Sequence, residues 1–461
     1  MIKRSYFRKL GAGMLALSLI LSGCSKPEQR HYPAQGSVTA FVATDTHYLA
    51  PSLTDDGAAF RKYVDTGDSK QLERIKAIMQ AFVHDIKAKK PDLLIVSGDI
   101  SNNGEKQSHV EMAKLFQEIE DQGTQVYVIP GNHDILNPWS SQFQGDKQVK
   151  ADPVTPDQFA DIYGAFGYQE AIARDRKTLS YMAAPTKKLR LLMLDTNLYQ
   201  SNERLRRPET GGIIPSSTQR WIRNVVKEAE QEGAQVLVVM HHNLLPHSEL
   251  SEEGYQIKNS KEITELFQDL QLPLVISGHV HLQHIAALED TSPTAHAESV
   301  EPLYDVATSA LSVYPHQYGV LKYDSDAPSW DYSTAPVKVE EWASEAGVQD
   351  EDLLDFQNSA RQFFNDFTRR LVKKELMNAH YSYDDIHVMT EFFVNVNNQY
   401  FAGKEIAHRD QLILSDAYHL WMSAEPSYLK GYIVSMLQPY KRSHDRLTLS
   451  LSHINTNAAS Q

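Results

Sequence analysis

Aspartate, asparagine and histidine recur at the ends of short apolar runs in this sequence, in groupings suited to metal chemistry. Val38 to Ala43 runs into Asp45-Thr46-His47, and Leu93 to Val96 runs into Gly98-Asp99. Val126 to Ile129 leads to Gly131-Asn132-His133-Asp134, Val236 to Met240 to His241-His242, and Leu274 to Ile276 to Gly278-His279-Val280-His281. Carboxylate, amide oxygen and imidazole together suit Mn, Fe or Zn. An Asp carboxylate spans two cations, and a neutral Asn oxygen keeps a second site from becoming too anionic. Asp and His one residue apart in an extended segment point to the same side, so each such pair is expected to grip one metal. Glycines beside ligands allow close approach of the backbone. Singly these groupings are weak: Asp-x-His is often solvated, Gly-Asp is often a turn, and His-x-His occurs on edge strands. The ordered series carries the reading. Cys24 is the only cysteine, which excludes thiolate zinc sites and any internal disulfide.

The elements that must position these residues alternate between strand and helix. After the first apolar run, Leu72, Ile75, Ile78, Phe82 and Ile86 recur at helical spacing. A second helix is expected near Glu105–Ile119. Further strands are expected at Arg190–Leu194, Leu303–Ala307 and Val320–Tyr323. Such alternation predicts α/β architecture with largely parallel strands, whose ligands gather beyond the carboxyl ends of the strands. The segment from Asp326 to Lys338, rich in Pro, Ser and Asp, reads as a change of character. Beyond it Leu353, Phe356, Ala360, Phe363, Phe367 and Leu371 form one helical stripe, and Phe392, Phe393, Val396 and Tyr400 another that Gly403 would stop. The expected division is a signal segment over 1–23, a tether over 24–36, a catalytic domain over 37–335, and a helical C-terminal domain with a polar tail over 336–461.

The series Asp45-x-His47, Gly98-Asp99, Gly131-Asn132-His133-Asp134, His241 and Gly278-His279-x-His281 resembles the calcineurin-like metallophosphoesterase superfamily across residues 39 to 325. The Gly98-Asp99-Ile100-Ser101 context further resembles its class III cyclic nucleotide phosphodiesterases. The resemblance implies a fold of two packed mixed sheets with helices outside and a pair of divalent or mixed-valence transition metal ions at one edge. It implies a first metal held by Asp45, His47, Asp99 and His281, and a second by Asp99, Asn132, His241 and His279, with Asp99 shared. Two cations about 3.5–4 Å apart lower the pKa of a water between them and clamp a phosphoryl group. It also implies that His133 faces substrate and protonates the leaving alkoxide. Asp134 would then hold the His133 ring, or cap a helix. His242 is read as lying near substrate, behind a ligand or on the opposite face. His247 is a loop residue with a substrate contact as the alternative, and His84, His109, His284 and His316 are read as structural.

The chain has 461 residues, a formal net charge of −14, and 41% hydrophobic and 23% charged composition. This is the ordinary globular range; an acidic balance argues against broad nucleic-acid binding, which needs a basic face. Lys3, Arg4, Arg8 and Lys9, an apolar stretch from Leu10 to Leu21, and then Leu21-Ser22-Gly23-Cys24 read as an export signal. Its ending resembles the lipobox of bacterial lipoproteins, which implies a lipid on Cys24 and a membrane-anchored protein facing outside the cytoplasm. No Gly-x-Ser-x-Gly elbow or Walker loop occurs. The expected activity is hydrolysis of small phosphodiesters, with 3′,5′-cyclic nucleotides first to test. The alternatives are a phosphomonoesterase of the same mechanism and a surface-binding lipoprotein without turnover.

Overall fold

The computed structural model describes residues 36–248, 254–288, 302–378, 381–425, 427–439 and 441–451. The expected signal, Cys24, the tether up to Gln35 and the tail after Leu451 lie outside the described residues. No helix among the described residues is long and apolar enough to cross a membrane.

Among the described residues, fifteen strands run in chain order: β1 (Ser37–Ala43), β2 (Leu93–Val96), β3 (Gln125–Val128), β4 (Ser141–Gln144), β5 (Lys147–Lys150), β6 (Ala173–Arg174), β7 (Tyr181–Ala183), β8 (Leu189–Leu194), β9 (Gln235–Met240), β10 (Leu274–Ser277), β11 (His284–Leu288), β12 (Leu303–Ala307), β13 (Gln317–Asp324), β14 (Ser329–Pro336) and β15 (Arg446–Ser450). One sheet has the order β15-β14-β13-β1-β2-β3, the other β11-β12-β10-β9-β8-β7-β6, and β4-β5 is a separate hairpin. The central pairs β1-β2, β2-β3, β8-β9, β9-β10 and β10-β12 are parallel, and the flanking pairs antiparallel. Both sheets are therefore mixed.

Strand periodicity explains the layering. Leu189, Leu191 and Met193 of β8, with Leu237 and Val239 of β9, join the core shared with β1, β2 and β3. Their neighbours Leu192, Leu194, Val236, Val238 and Met240 turn the other way. There they pack under the helices Ser216–Gln231 and Ser260–Asp269 through Ile222, Val226, Ile263 and Phe267. A strand covered on both faces needs an unbroken apolar run, as in Val-Leu-Val-Val-Met of β9. Each fully buried aliphatic side chain contributes about 1.5–3 kcal/mol.

Three sequence expectations need correction. The polar stretch Asp326–Lys338 contains β14, where Trp330 and Tyr332 are buried on alternate positions. The region after 336 is not purely helical, because β15 returns to pair with β14. The helix Phe356–Met377 buries Phe356, Ala360, Phe364, Thr368, Val372 and Leu376, whereas Leu371 is exposed. Its inward face is thus a run of i, i+4 positions rotated from the Phe363–Phe367–Leu371 stripe, and it accepts Thr368 because the hydroxyl donates to the Phe364 carbonyl.

The C-terminal helices pack directly behind the last candidate ligand loop. Leu282 is buried in their core with Phe393, Val396, Tyr400 and Trp421, and Val280 packs against it. The Gln283 N–H donates to the Phe401 carbonyl at 3.1 Å. Gly403 (φ +67°) follows the end of the helix Tyr383–Phe401, and a Cβ there would meet Gln283 Cγ at 2.6 Å.

Candidate metal centre

The ligand loops are an extension of the sheets beyond their formal strand ends. The Asp45 N–H donates to the Gly98 carbonyl at 3.0 Å, His47 N–H to Asp99 at 2.9 Å, and Tyr48 N–H to Ile100 at 3.0 Å. Gly278 N–H donates to the His241 carbonyl, and Leu311 and Ser312 N–H to the Thr44 and Asp45 carbonyls. Side-chain direction does not come from an extended backbone, as the sequence reading supposed. Asp45, His47, Asp99, His279 and His281 have φ of +49°, +42°, +48°, +71° and +63°. Left-handed conformations cost a non-glycine residue roughly 1–2 kcal/mol each, and such clusters of strain mark functional sites.

The result is two groups that share a residue. Asp45, His47, Asp99 and His281 form one, Asp99, His241 and His279 the other, with the ligand-capable atoms of each group within 4.8 Å of one another. Asn132 joins the second group, its Oδ1 3.1 Å from His241 Nε2. The seven residues expected to bind metal are thus brought together. Each carboxylate has one oxygen held and one oxygen facing inward. Asp45 Oδ2 accepts from Thr44 Oγ1 at 2.7 Å and His279 N–H at 2.9 Å, while its buried Oδ1 has no hydrogen-bond partner and lies 3.3 Å from His281 Nε2. Asp99 Oδ1 accepts from His133 N–H at 2.8 Å, leaving Oδ2 3.7 Å from His47 Nε2 and 3.3 Å from His241 Nε2. His47 Nε2 and His281 Nε2 converge to 3.1 Å. His241 Nδ1 faces the Ser97 carbonyl at 2.9 Å, which aims Nε2 inward; His279 Nε2 faces Gly254 O at 3.1 Å, which leaves Nδ1 for the centre.

These features fit a pair of cations. An orphaned buried carboxylate oxygen and converging imidazole nitrogens are costly unless a positive charge lies among them. Burial raises the proton affinity of Asp99, but His241 and His133 outweigh it and hold the carboxyl well below its usual range. Burial disfavours charge on His241, yet Asp99 and Asp45 raise its pKa to about 9. Burial, then the His241 charge, lowers His279 to about 3, so it stands as a neutral donor. The donors are carboxylate, amide and imidazole, a set suited to Mn, Fe or Zn. Gly131 and Gly278 are required by space: a Cβ would stand 2.2 Å from Asp99 Oδ1 at the first and 2.1 Å from Thr44 Oγ1 at the second.

His133 is half-buried beside this centre, its ring 5.0 Å from that of His47. Its Nδ1 faces two acceptors, the Asn102 carbonyl and Asn103 Oδ1, each at 3.0 Å. Nδ1 therefore carries the hydrogen and Nε2 is the atom that exchanges a proton. Asp134 does not hold this ring, and no helix begins at it. Its Oδ1 accepts from Ser101 N–H and Oγ, its Oδ2 from Gly131 and Ile100 N–H, all within 2.8–3.1 Å. Fully buried, it ties the Asp99 loop to the Asn132 loop, so its place is support and not proton transfer; Asn102 and Asn103 take the orienting place. Buried His109 faces Ser101 Oγ and the Asp134 carbonyl at 3.0 Å behind this clamp.

Both ring nitrogens of His242 are engaged outside the two groups, with Thr196 Oγ1 at 2.7 Å and the Thr210 carbonyl at 2.9 Å. His247 is buried 3.1 Å from Asp305 and from His284, and His316 is buried against the Leu311 carbonyl, so both are structural. Sequence reading missed Lys70. Only 7% exposed, it holds its Nζ 3.0 Å from Asp68 Oδ2. Burial works against its charge, but Asp68 outweighs that and raises its proton affinity. His47 and His133 have proton affinity lowered first by burial and also by the Lys70 charge. An isolated Lys between Ser69 and Gln71 has no pattern to mark it; only folding brings its charge within electrostatic reach of the histidines.

The two sheets, the shared Asp99 and the ordered histidine loops define a calcineurin-like phosphoesterase: residues 39–283 match that family's model, and the chain belongs to it. It is a metal-dependent phosphoric ester hydrolase with a dinuclear site. Residues 338–442 match the C-terminal domain of cyclic nucleotide phosphodiesterase. Among solved structures, a dimetal phosphatase from Danio rerio is 12% identical, covering 64% of this chain and 95% of its own, with a TM-score of 0.44. GAP50, the anchor in the inner membrane complex of Plasmodium, is 10% identical, covering 66% and 86%, with a TM-score of 0.34. No curated protein matches the chain.

Proposed function

We propose that this chain is a phosphodiesterase acting on small phosphodiesters, 3′,5′-cyclic nucleotides first among them, held on a membrane surface outside the cytoplasm by a lipid on Cys24. The observation that carries the catalytic part is the pair of ligand groups joined by Asp99, with His133 Nε2 free beside them. The match of residues 338–442 supports the cyclic nucleotide preference, and Leu21-Ser22-Gly23-Cys24 supports the anchor.

Asp45, His47, Asp99 and His281 would hold one transition metal ion, and Asp99, Asn132, His241 and His279 the other. Bound there, the cations would supply an activated water and neutralise phosphoryl charge. The protein does the rest. Rigid loops orient the phosphorus between the ligand groups and His133. As water oxygen bonds to phosphorus and the ester P–O bond breaks, His133, entering as the imidazolium with hydrogen on both nitrogens, gives the Nε2 proton to the departing alkoxide and is left neutral with its Nδ1 hydrogen, while the attacking water releases its own proton to solvent. The Lys70 ammonium, fixed by Asp68, offers a donor to a non-bridging phosphoryl oxygen.

The test compares a chromogenic phosphodiester, the matching monoester and cyclic nucleotides on protein loaded with Mn, Fe or Zn. The expected result is higher kcat/KM for the diester and for a cyclic nucleotide. Preference for the monoester would make the chain a phosphomonoesterase, and inertness to every ester would make it a binding lipoprotein.

A further inference from the structure

Beside His133 opens a cavity of about 400 Å³ whose walls include Tyr63, Asn103, Trp139, Ser140, Gln148 and Val149. Ligand pockets have this size and this mixture of apolar walls with a few polar groups. We propose that this cavity is the subsite for the organic group of the ester, and that it takes a planar heterocycle stacked on Trp139. The inference rests on the phosphodiesterase reading and specifies its substrate class.

Three observations carry it. Trp139 is 49% exposed and Val149 39% exposed, though most large apolar side chains of this region are buried. An indole presented to solvent at a cavity wall is a stacking platform for a ring. The platform is tied to the catalytic group: Asn137 Nδ2 donates to the His133 carbonyl at 2.9 Å, and Asn137 Oδ1 accepts from Trp139 N–H at 2.9 Å. Asn103 joins His133 to a second wall residue, Tyr63. Its Oδ1 faces His133 Nδ1 at 3.0 Å and its Nδ2 donates to Tyr63 Oη at 2.9 Å. Finally, Ser140 is buried in the wall with a hydroxyl that has no hydrogen-bond partner. Such a group is costly unless a ligand satisfies it. The hairpin β4-β5 supplies Ser141, Gln148, Val149 and Lys150, so the cavity is built largely by one segment between the third and fourth ligand loops.

The experiment measures inhibition constants of inorganic phosphate and adenosine 5′-monophosphate on the full-length, metal-loaded protein, with turnover of a chromogenic diester, and in parallel of the matching monoester, as the readouts. Trp139→Ala should weaken the nucleotide about tenfold and leave phosphate within about twofold; Trp139→Phe should restore most of the nucleotide affinity. An equal loss for both inhibitors, or no loss for either, in a preparation that still hydrolyses the diester would overturn the subsite alone. A preparation that turns over only monoesters, yet shows the ring-dependent loss, would keep the subsite and overturn the phosphodiesterase reading.

Discussion

The histidine that follows Asn132 has its Nδ1 hydrogen held by the Asn102 carbonyl and Asn103 Oδ1, which leaves Nε2 for the substrate. Replacing His133 with Ala is therefore expected to leave metal content unchanged and to lower kcat by about 10²–10⁴. The loss should be largest for esters with poor leaving groups, because these depend most on proton donation. Metal analysis and a leaving-group series check this; metal loss in the variant would make His133 a structural residue. Lys70 predicts a different signature. Lys70→Met keeps the stem and removes the charge, so KM should rise about tenfold with metal content intact, the loss of one charge-assisted hydrogen bond of roughly 1.5–3 kcal/mol. At this scale the sequence exposed the donors well, since their types and order stand out without a fold. Asp134 and Lys70 were not legible. The first turns away from its neighbour His133 into the backbone, and the second reaches the site across space from an unremarkable stretch.

At the scale of elements, the ligand loops depend on what packs behind them. Leu282 immediately follows the candidate ligand His281 and is buried among C-terminal helices. Leu282→Ala should destabilise the protein by about 2–5 kcal/mol and loosen metal binding about tenfold although no donor changes; denaturant unfolding and metal titration read the two separately. The loop after β12 supports Asp45 through Ser312, whose Oγ donates to the Asp45 carbonyl at 2.7 Å. His316 ends that loop, buried with its pKa pushed down to about 4 by burial, which the Leu311 carbonyl only partly offsets. A histidine whose folded pKa is depressed favours the folded state fully above its unfolded value of 6.5, and that contribution is lost as pH falls toward 4. Relative to His316→Asn, the native protein should lose roughly 3 kcal/mol between pH 7 and pH 4, measured by urea unfolding at both pH values. Equal slopes would show that His316 is charged or solvated in the fold. Asn suits this position because φ is +54°. The parallel strands were readable because most are solid apolar runs, such as Leu93–Val96 and Val236–Met240. The strands β14 and β15 were not. One is half polar, with only alternate residues buried, and the other is a short edge strand in an otherwise helical region.

Over the whole molecule, the two mixed sheets and the helical region expected from the sequence are present, and the family match explains why the ordered donors foretold them. What sequence could not supply is the dependence between parts: β15 joins the first sheet, and the C-terminal helices close over the loop that carries His279 and His281. The catalytic account stands on two cations sharing Asp99. Metal analysis of desalted protein after loading with Mn, Fe or Zn tests this most directly. The predicted result is about two equivalents per chain in the native protein, falling to one or none in Asp99→Ala that remains folded by circular dichroism. One equivalent or none in the native protein, or two retained by Asp99→Ala, would contradict it.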